Sequence, residues 1–341
     1  MTASDARLEL IRSWLAGLPG WPAQPRVEPA SADASFRRYL RAWRADGSTR
    51  IVMDAPPALE DTAPYLAVTR LLADCGVHVP EVEAVDAPRG FLLMEDLGST
   101  PLLARLQSGE PVDAHYGDAL AALVSIQRHG RCDSLAPYDA AVLEREMRLC
   151  PEWYLARHLG IEPGSEDREI LAAAEAFLVR EVLAQPVVLV HRDYHSRNLM
   201  VTRDRNPGVI DFQDALAGPV GYDLASLLKD CYIAWPRERV VGWVRSYRAL
   251  LRAEGGPAGA GDDEFLRWFD LVGLQRHIKV LGVFARLWHR DGKIGYLDDL
   301  PRTLAHVIDA AGRYPELAPF HAWAQRRLAP GLRAANARAA A

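Results

Sequence analysis

Lysine is almost missing from this chain. Of its 40 basic residues only Lys229, Lys279 and Lys293 are lysines, so every long cation before position 229 is an arginine. Cysteine is also sparse: Cys75, Cys132, Cys150 and Cys231 lie far apart, with no CxxC and no Cys/His spacing that suits zinc. Reduced, mostly structural thiols are expected, and no disulfide framework. No apolar run approaches the roughly 18 residues that a membrane span requires. The opening Met1-Thr2-Ala3-Ser4-Asp5-Ala6-Arg7 is not followed by the apolar core of a secretion signal. Both absences predict a cytoplasmic protein with no membrane partner. A net charge of −5 and the lack of a basic tract leave nucleic acid no electrostatic footprint. What remains is ordinary globular material. With 341 residues, 49% of them hydrophobic and 25% charged, the chain can fill one large core or two and is too apolar to stay disordered.

One stretch specifies a chemistry: His191-Arg192-Asp193-Tyr194-His195-Ser196-Arg197-Asn198, followed by Asp211-Phe212-Gln213. Pro186 to Val190 reads as a buried strand that ends at this motif, and Leu199-Met200-Val201 resumes a strand. Arg203 to Gly208 makes a turn, and Val209-Ile210 leads into Asp211. Two carboxylates and an amide are therefore expected on loops at strand ends. Transfer of a γ-phosphoryl group needs this set: a carboxylate to accept the proton of the attacking hydroxyl, and oxygen ligands for the Mg²⁺ that neutralises the phosphates. Each half alone also fits a polar turn that satisfies its own backbone. The two halves in this order, between strands, favour the chemistry.

The motif resembles the kinase signature HRDxxxxN with a following DFG, here with Gln213 in place of the glycine. The chain is most similar to the aminoglycoside phosphotransferase-like family of small-molecule kinases. That resemblance implies an α+β, two-lobed protein-kinase-like fold with a small β-rich N-lobe and a larger, mainly helical C-lobe. It implies ATP and Mg²⁺, with Asp193 as catalytic base, Asn198 and Asp211 as metal ligands, and His191 and Asp223 as supporting residues. Residues 34–39, 52–57, 191–198 and 208–215 resemble more narrowly a branch of the family that phosphorylates the anomeric hydroxyl of N-acetylated amino sugars in bacterial cell-wall recycling. Two alternatives stay open. A kinase of aminoglycosides or choline would need a dense acidic acceptor pocket, and a catalytically silent nucleotide-binding module would tolerate an incomplete site.

Residues 1–97 are expected to form the N-lobe and 98–341 the C-lobe. An amphipathic helix over 5–18 is followed by strands at 36–43 and 50–53, a helix at 64–75, and strands at 82–85 and 91–94. Glu95-Asp96-Leu97-Gly98 is the expected hinge, with Glu95 and Leu97 near the adenine. Only 11 residues separate Asp211 from Asp223, too few for a polypeptide-docking segment. The acceptor should be a small molecule. Asp223 opens an apolar-periodic helix, so capping that helix is its plain role and support of the catalytic loop its family role.

The lysine that a kinase N-lobe usually offers to the phosphates is absent. Asp54 occupies the strand expected to carry it, and Ser31-Ala32-Asp33-Ala34-Ser35 stands where a glycine-rich loop is expected. Ser35, Arg37, Arg38 and Arg41 are the candidate phosphate contacts, and strand alternation puts Arg37 and Arg41 on one face and Arg38 on the other. His195, Arg197, Gln213 and Asp214 lie close enough in sequence to Asp193 or Asp211 to meet an acceptor. Glu146 and Arg148, on a helix expected over 143–154, are further candidates. For an acceptor with a carboxylate arm, Arg197, Arg148 and Arg276 are the cations to consider.

Overall fold

A computed structural model describes residues 5–32 and 36–340. The chain forms two compact units, one of residues 1–100 with 200–214 and one of residues 101–199 with 215–341.

The first unit is built on an antiparallel sheet. Helix α1 (Ala6–Ala16) starts at Asp5, whose carboxylate accepts the backbone N–H groups of Arg7 and Leu8, leaving fewer helix-end donors unmet. Strands β1 (Val27–Ala32), β2 (Arg38–Trp43) and β3 (Thr49–Asp54), helix α2 (Ala63–Asp74), and strands β4 (Val82–Asp86) and β5 (Phe91–Glu95) follow. The sheet order is β1-β2-β3-β5-β4. One face buries Leu40, Ala42, Val52, Phe91 and Leu93 against Ile11 and Leu15 of α1. Each large apolar side chain removed from water there contributes about 1.5–3 kcal/mol. Gly90 closes the β4–β5 turn at φ 72°, where a Cβ would lie 1.8 Å from the carbonyl oxygen of Ala55. Only glycine fits there. Residues 200–214 seat on this unit: Val209 N–H donates to His78 O at 2.7 Å, and Val201 N–H to Thr100 O at 2.8 Å.

The second unit is mainly helical. It contains α3 (Leu102–Leu106), α4 (Asp113–His129) and α5 (Ala140–Met147), a π-helical segment over Cys150–Leu159, and α6 (Ser165–Leu183). Strand β6 (Val187–Val190) pairs antiparallel with Leu216–Pro219, after which come α7 (Tyr222–Leu228), α8 (Arg237–Ala253), α9 (Asp262–His289), α10 (Leu300–Ala311), α11 (Ala318–Arg327) and α12 (Ala329–Ala340). Helix α9 is the axis of the unit, and every residue from Phe269 to Ile278 is buried. Gly282 lets it cross the start of the π-helical segment, where a Cβ would meet the Leu149 carbonyl carbon at 2.2 Å. The single helix expected over 143–154 is two pieces, because Pro151 has no N–H to continue the ladder of α5. Among the described residues no helix is long and apolar enough to cross a membrane, and the four cysteines are free thiols.

Candidate active site

The motif lies where β6 runs out. Val188, Leu189 and Val190 are buried, and the chain leaves the strand into a turn whose backbone is held by one carboxylate. Asp223, wholly buried, accepts the N–H of His191 at 2.7 Å and of Arg192 at 3.0 Å. Arg192 sits at φ 77°, a conformation that costs a side-chain-bearing residue on the order of 1–3 kcal/mol. The two hydrogen bonds to Asp223 offset that strain. Capping is not the role of Asp223: helix α7 begins at Tyr222 with Gly221 at the cap position, and the Asp223 carboxylate turns to the loop instead. Burial pushes its carboxyl up to about 7, against the pull of the two backbone donors.

Further bonds pin the rest of the loop. Tyr194 Oη donates to Ala119 O of α4 at 2.8 Å, and Ser196 donates its N–H, at 3.0 Å, and its hydroxyl to Asp230. Within the turn, His195 N–H reaches Asp193 O at 3.0 Å, Asn198 N–H reaches His195 O at 2.9 Å, and Asn198 Nδ2 donates to Asp193 O at 3.0 Å. Asp193, His195, Arg197 and Asn198 are thereby gathered on one tight turn, with His191 and Asp223 beneath it.

The electrostatics of this turn come from α5 and α9. Asp193 is half-buried. Burial pushes its carboxyl upward, yet Lys279, His195, Arg276 and Arg192 outweigh that and hold it below the ordinary carboxylate value. Arg192 Nη2 lies 2.5 Å and Lys279 Nζ 2.8 Å from Glu146 Oε1, while Tyr138 donates its hydroxyl to Glu146 Oε2 and Gln275 Nε2 stands 3.5 Å from the same oxygen. Glu146, considered above as an acceptor contact, is therefore a buried counter-ion under Arg192 and Lys279. Against burial, these two cations hold its carboxyl low. Arg148 is exposed, and its charge acts on Glu175. It does not join this group.

Two further acceptor candidates share one aromatic ring. The His195 ring meets Tyr232 edge-on at 5.4 Å between centroids, and the Arg197 guanidinium lies over Tyr232 at 3.5 Å. Burial first, then Arg276 and Arg197, lower the His195 pKa against Asp230 and Asp193. Its Nδ1 has no hydrogen-bond partner among the described residues.

Asp211, Gln213 and Asp214 belong to the first unit. Asp211 is at φ 64°, a left-handed conformation that Asp tolerates better than most residues, and Gln213 Nε2 donates to its Oδ1 at 2.9 Å. The intervening Phe212 is buried against Tyr65 of α2, with ring centroids 4.9 Å apart, so α2 anchors the segment. Asp214 is exposed. Leu97 packs against Gly208, where an added Cβ would come within 2.7 Å of its Cδ1. Glu95 ends β5 with its carboxylate 3.0 Å from His78 Nε2.

The arginines of the first unit separate clearly. Arg38 is bound to Asp54 and Asp5, and Arg7 clasps the other oxygen of Asp54, so this wholly buried aspartate is neutralised inside its own unit. Arg41 is held by Asp96 at 2.6 Å and by Gly98 O at 3.1 Å. Arg37 lies 3.7 Å from Glu60 and acts, like Asp211, on the buried Tyr65 hydroxyl. Ser35 lies outside the described residues.

Asn198 gives its amide nitrogen to the loop backbone, and its other amide atom is an oxygen. Asp211 offers a carboxylate. Hard oxygen donors of this kind fit Mg²⁺, which usually takes only one or two carboxylates from a protein and completes its shell with water and phosphate oxygens. No group of three or more His, Cys, Asp or Glu residues gathers on a metal position among the described residues.

Several residues of this site were not singled out by the sequence alone: Tyr138, Arg192, Asp230, Lys279 and Tyr222, whose hydroxyl lies 3.3 Å from Lys279 Nζ. One signal was present for Lys279. It is one of three lysines, and the turn that follows it, Val280-Leu281-Gly282-Val283-Phe284, is apolar, so that an ammonium there needs a partner.

Comparisons with known proteins agree with this geometry. A family model described as "Phosphotransferase enzyme family" matches residues 26–262. A Pseudomonas aeruginosa protein named N-acetylmuramate/N-acetylglucosamine kinase is 46% identical over 325 residues, covering 93% of this chain and 95% of that one. A Pseudomonas putida protein of the same name is 44% identical over 327 residues, covering 93% and 96%. Among solved structures, a choline kinase from Streptococcus pneumoniae superposes with a TM-score of 0.63 at 12% identity, over 89% of this chain and 99% of that one, which shows the fold alone. A small antiparallel-sheet lobe and a larger helical lobe, an HRD-type loop strained at Arg192 and held by buried Asp223, and near full-length relatives make this chain a member of the phosphotransferase enzyme family with a protein-kinase-like fold.

Proposed function

We propose that the protein transfers the γ-phosphoryl group of ATP to the anomeric hydroxyl of N-acetylmuramate and N-acetylglucosamine. The observation that carries the chemistry is Asp193: a half-buried carboxylate on a turn fixed by Asp223 and Asp230, kept ionised by Lys279 and Arg276. Such a group accepts the proton of a sugar hydroxyl in the transition state without first having to move. Asn198 and Asp211 would hold Mg²⁺, which when bound orients the triphosphate and neutralises its charge. Lys279 and Arg192, tied together through Glu146, keep the floor of the turn positive where phosphate charge develops.

The sugar reading is supported by the relatives, which share 44–46% of their residues with this chain over nearly their whole length. A cationic acceptor such as choline fits less well. Arg192, Arg276 and Lys279 act on Asp193 and Arg197 acts on the neighbouring His195, and a further permanent cation there would be repelled. The test is ³¹P NMR of the purified protein with ATP, Mg²⁺ and each sugar in turn. A sugar 1-phosphate resonance growing with ADP is expected, and ATP hydrolysis that ignores both sugars would refute the reading.

A further inference from the structure

Arg197 is arranged as a cation that can change partners. Its guanidinium lies over the Tyr232 ring at 3.5 Å, and the ring is fixed in turn, since Tyr232 N–H donates to Asp230 Oδ1 at 3.0 Å and the ring packs on His195 and Phe284. Stacking of this kind sets the plane of a guanidinium and leaves its edge for a carboxylate. The carboxylate paired with Arg197 is Asp299, but at 3.9 Å, too long for a hydrogen bond. Arg197 is also the more open of the two, with 43% of its side chain exposed against 14% for Asp299. Asp299 does not depend on Arg197. Its other oxygen accepts from Arg302 at 3.0 Å, and Arg302 is anchored to Cys231 O at 2.7 Å. Burial and the nearby Asp230 push the Asp299 carboxyl upward in spite of both arginines.

Position adds the second argument. Arg197 stands four residues after Asp193 on a turn closed by His195 N–H to Asp193 O and Asn198 N–H to His195 O. In a muramic-type sugar the lactyl carboxylate hangs from the oxygen on C3, two ring carbons from the hydroxyl that reacts. A side chain that long, on the same turn as the base, reaches a group placed there. The other cations considered for such a carboxylate do not: Arg148 is exposed beside Glu175, and Arg276 is only 4% exposed, with its guanidinium against Cys231.

Resting on the reading that the acceptor is an N-acetylated hexosamine, we propose that Arg197 is the specificity-determining residue for a carboxylate-bearing acceptor and that Asp299 is the internal carboxylate it exchanges for the ligand's. With N-acetylglucosamine, Arg197 stays beside Asp299; with N-acetylmuramate, it turns to the lactyl group while Arg302 keeps Asp299 paired. One site then takes a neutral and an anionic sugar without leaving a cation alone in either complex.

The experiment measures kcat/KM for both sugars with the full chain and reads their ratio. Arg197→Met, which keeps the packing on Tyr232 and removes the charge, should move the ratio roughly two- to fivefold toward N-acetylglucosamine, the effect of one partly exposed charge pair. Asp299→Asn, which removes the internal competitor, should move it the opposite way. Opposite shifts support the exchange. A ratio unmoved by either variant, or moved in the same direction by both, overturns it. If Arg197→Met does not fold, the sign of the Asp299→Asn shift decides alone. Wild-type protein that phosphorylates neither sugar would overturn the underlying reading, and this proposal with it, whereas normal wild-type turnover with unmoved ratios would overturn this proposal only.

Discussion

The guanidinium of Arg192 lies 2.5 Å from Glu146 Oε1, so the residue preceding Asp193 is tied by its side chain to α5 as well as by its backbone to Asp223. Asp193, the proposed base, is therefore positioned through its neighbour by two buried carboxylates. Removing either should disturb Asp193 without altering its chemistry.

Asp193→Asn should lower kcat by roughly 10²- to 10⁴-fold, the usual contribution of a positioned general base, with little change in nucleotide binding. Asp211→Asn should in addition weaken Mg²⁺-dependent ATP binding. Rapid-quench kinetics alongside equilibrium nucleotide titration separates the two. Wild-type turnover in Asp193→Asn would show that another group takes the proton.

Glu146→Ala should be destabilising rather than merely slow. It strands Arg192 and Lys279 in a buried setting, and breaking a buried ion pair from one side costs about 3–5 kcal/mol. Denaturant unfolding measures that directly. Glu146→Gln, which keeps the shape and the hydrogen-bond acceptor, should cost less, and equal losses for the two variants would mean that packing matters here and charge does not.

Much of this was legible in the chain, and the reasons are local. The strand before His191, the turn at 203–208 and four of the five strands before position 96 each follow from contiguous patterns, whereas β1 was not expected. The Glu146–Arg192–Lys279 cluster was not legible, because its members are 46 and 87 residues apart and only the packing of α5 beneath α9 joins them. The helix expected over 143–154 showed its Pro151 plainly, yet a proline early in a segment also suits a helix start, and here it begins the π-helical piece. The arginines at 37, 38 and 41 could be sorted onto two faces from strand period alone. Which of them is consumed by Asp54 or Asp96 depends on register between strands that no single segment records.

That sorting changes what mutation of these arginines should do. Arg37→Ala should raise KM for ATP about tenfold or more if it meets phosphate, since a charge-assisted contact contributes about 1.5–3 kcal/mol. Arg38→Ala should instead cost stability, about 1–2 kcal/mol, because Asp54 keeps only Arg7 as partner. Steady-state kinetics and thermal unfolding on the same two proteins make the contrast. A larger KM effect in Arg38→Ala than in Arg37→Ala would reverse the assignment.

Asp223 gives stability a definite dependence on pH. Burial lifts its carboxyl to about 7 in the folded protein, above the ordinary value of 3.8, so the folded state holds a proton that the unfolded state has released. The stability contributed by that proton is fully present below about pH 4 and is lost as pH rises through 7. Wild-type stability relative to Asp223→Asn should therefore fall by a few kcal/mol between these limits and level off above them. Urea unfolding of both proteins at several pH values gives the difference. A constant difference across the range would show that Asp223 is ionised throughout.

The claim that organises the rest is transfer to the anomeric oxygen, and it is tested most directly by offering N-acetylglucosamine beside its methyl glycoside, whose 1-oxygen is blocked, and following ³¹P NMR with ATP and Mg²⁺. The account predicts a sugar 1-phosphate from the free sugar and no phosphorylated product from the glycoside. Robust phosphorylation of the methyl glycoside would contradict it, and would move the acceptor oxygen to another position of the ring.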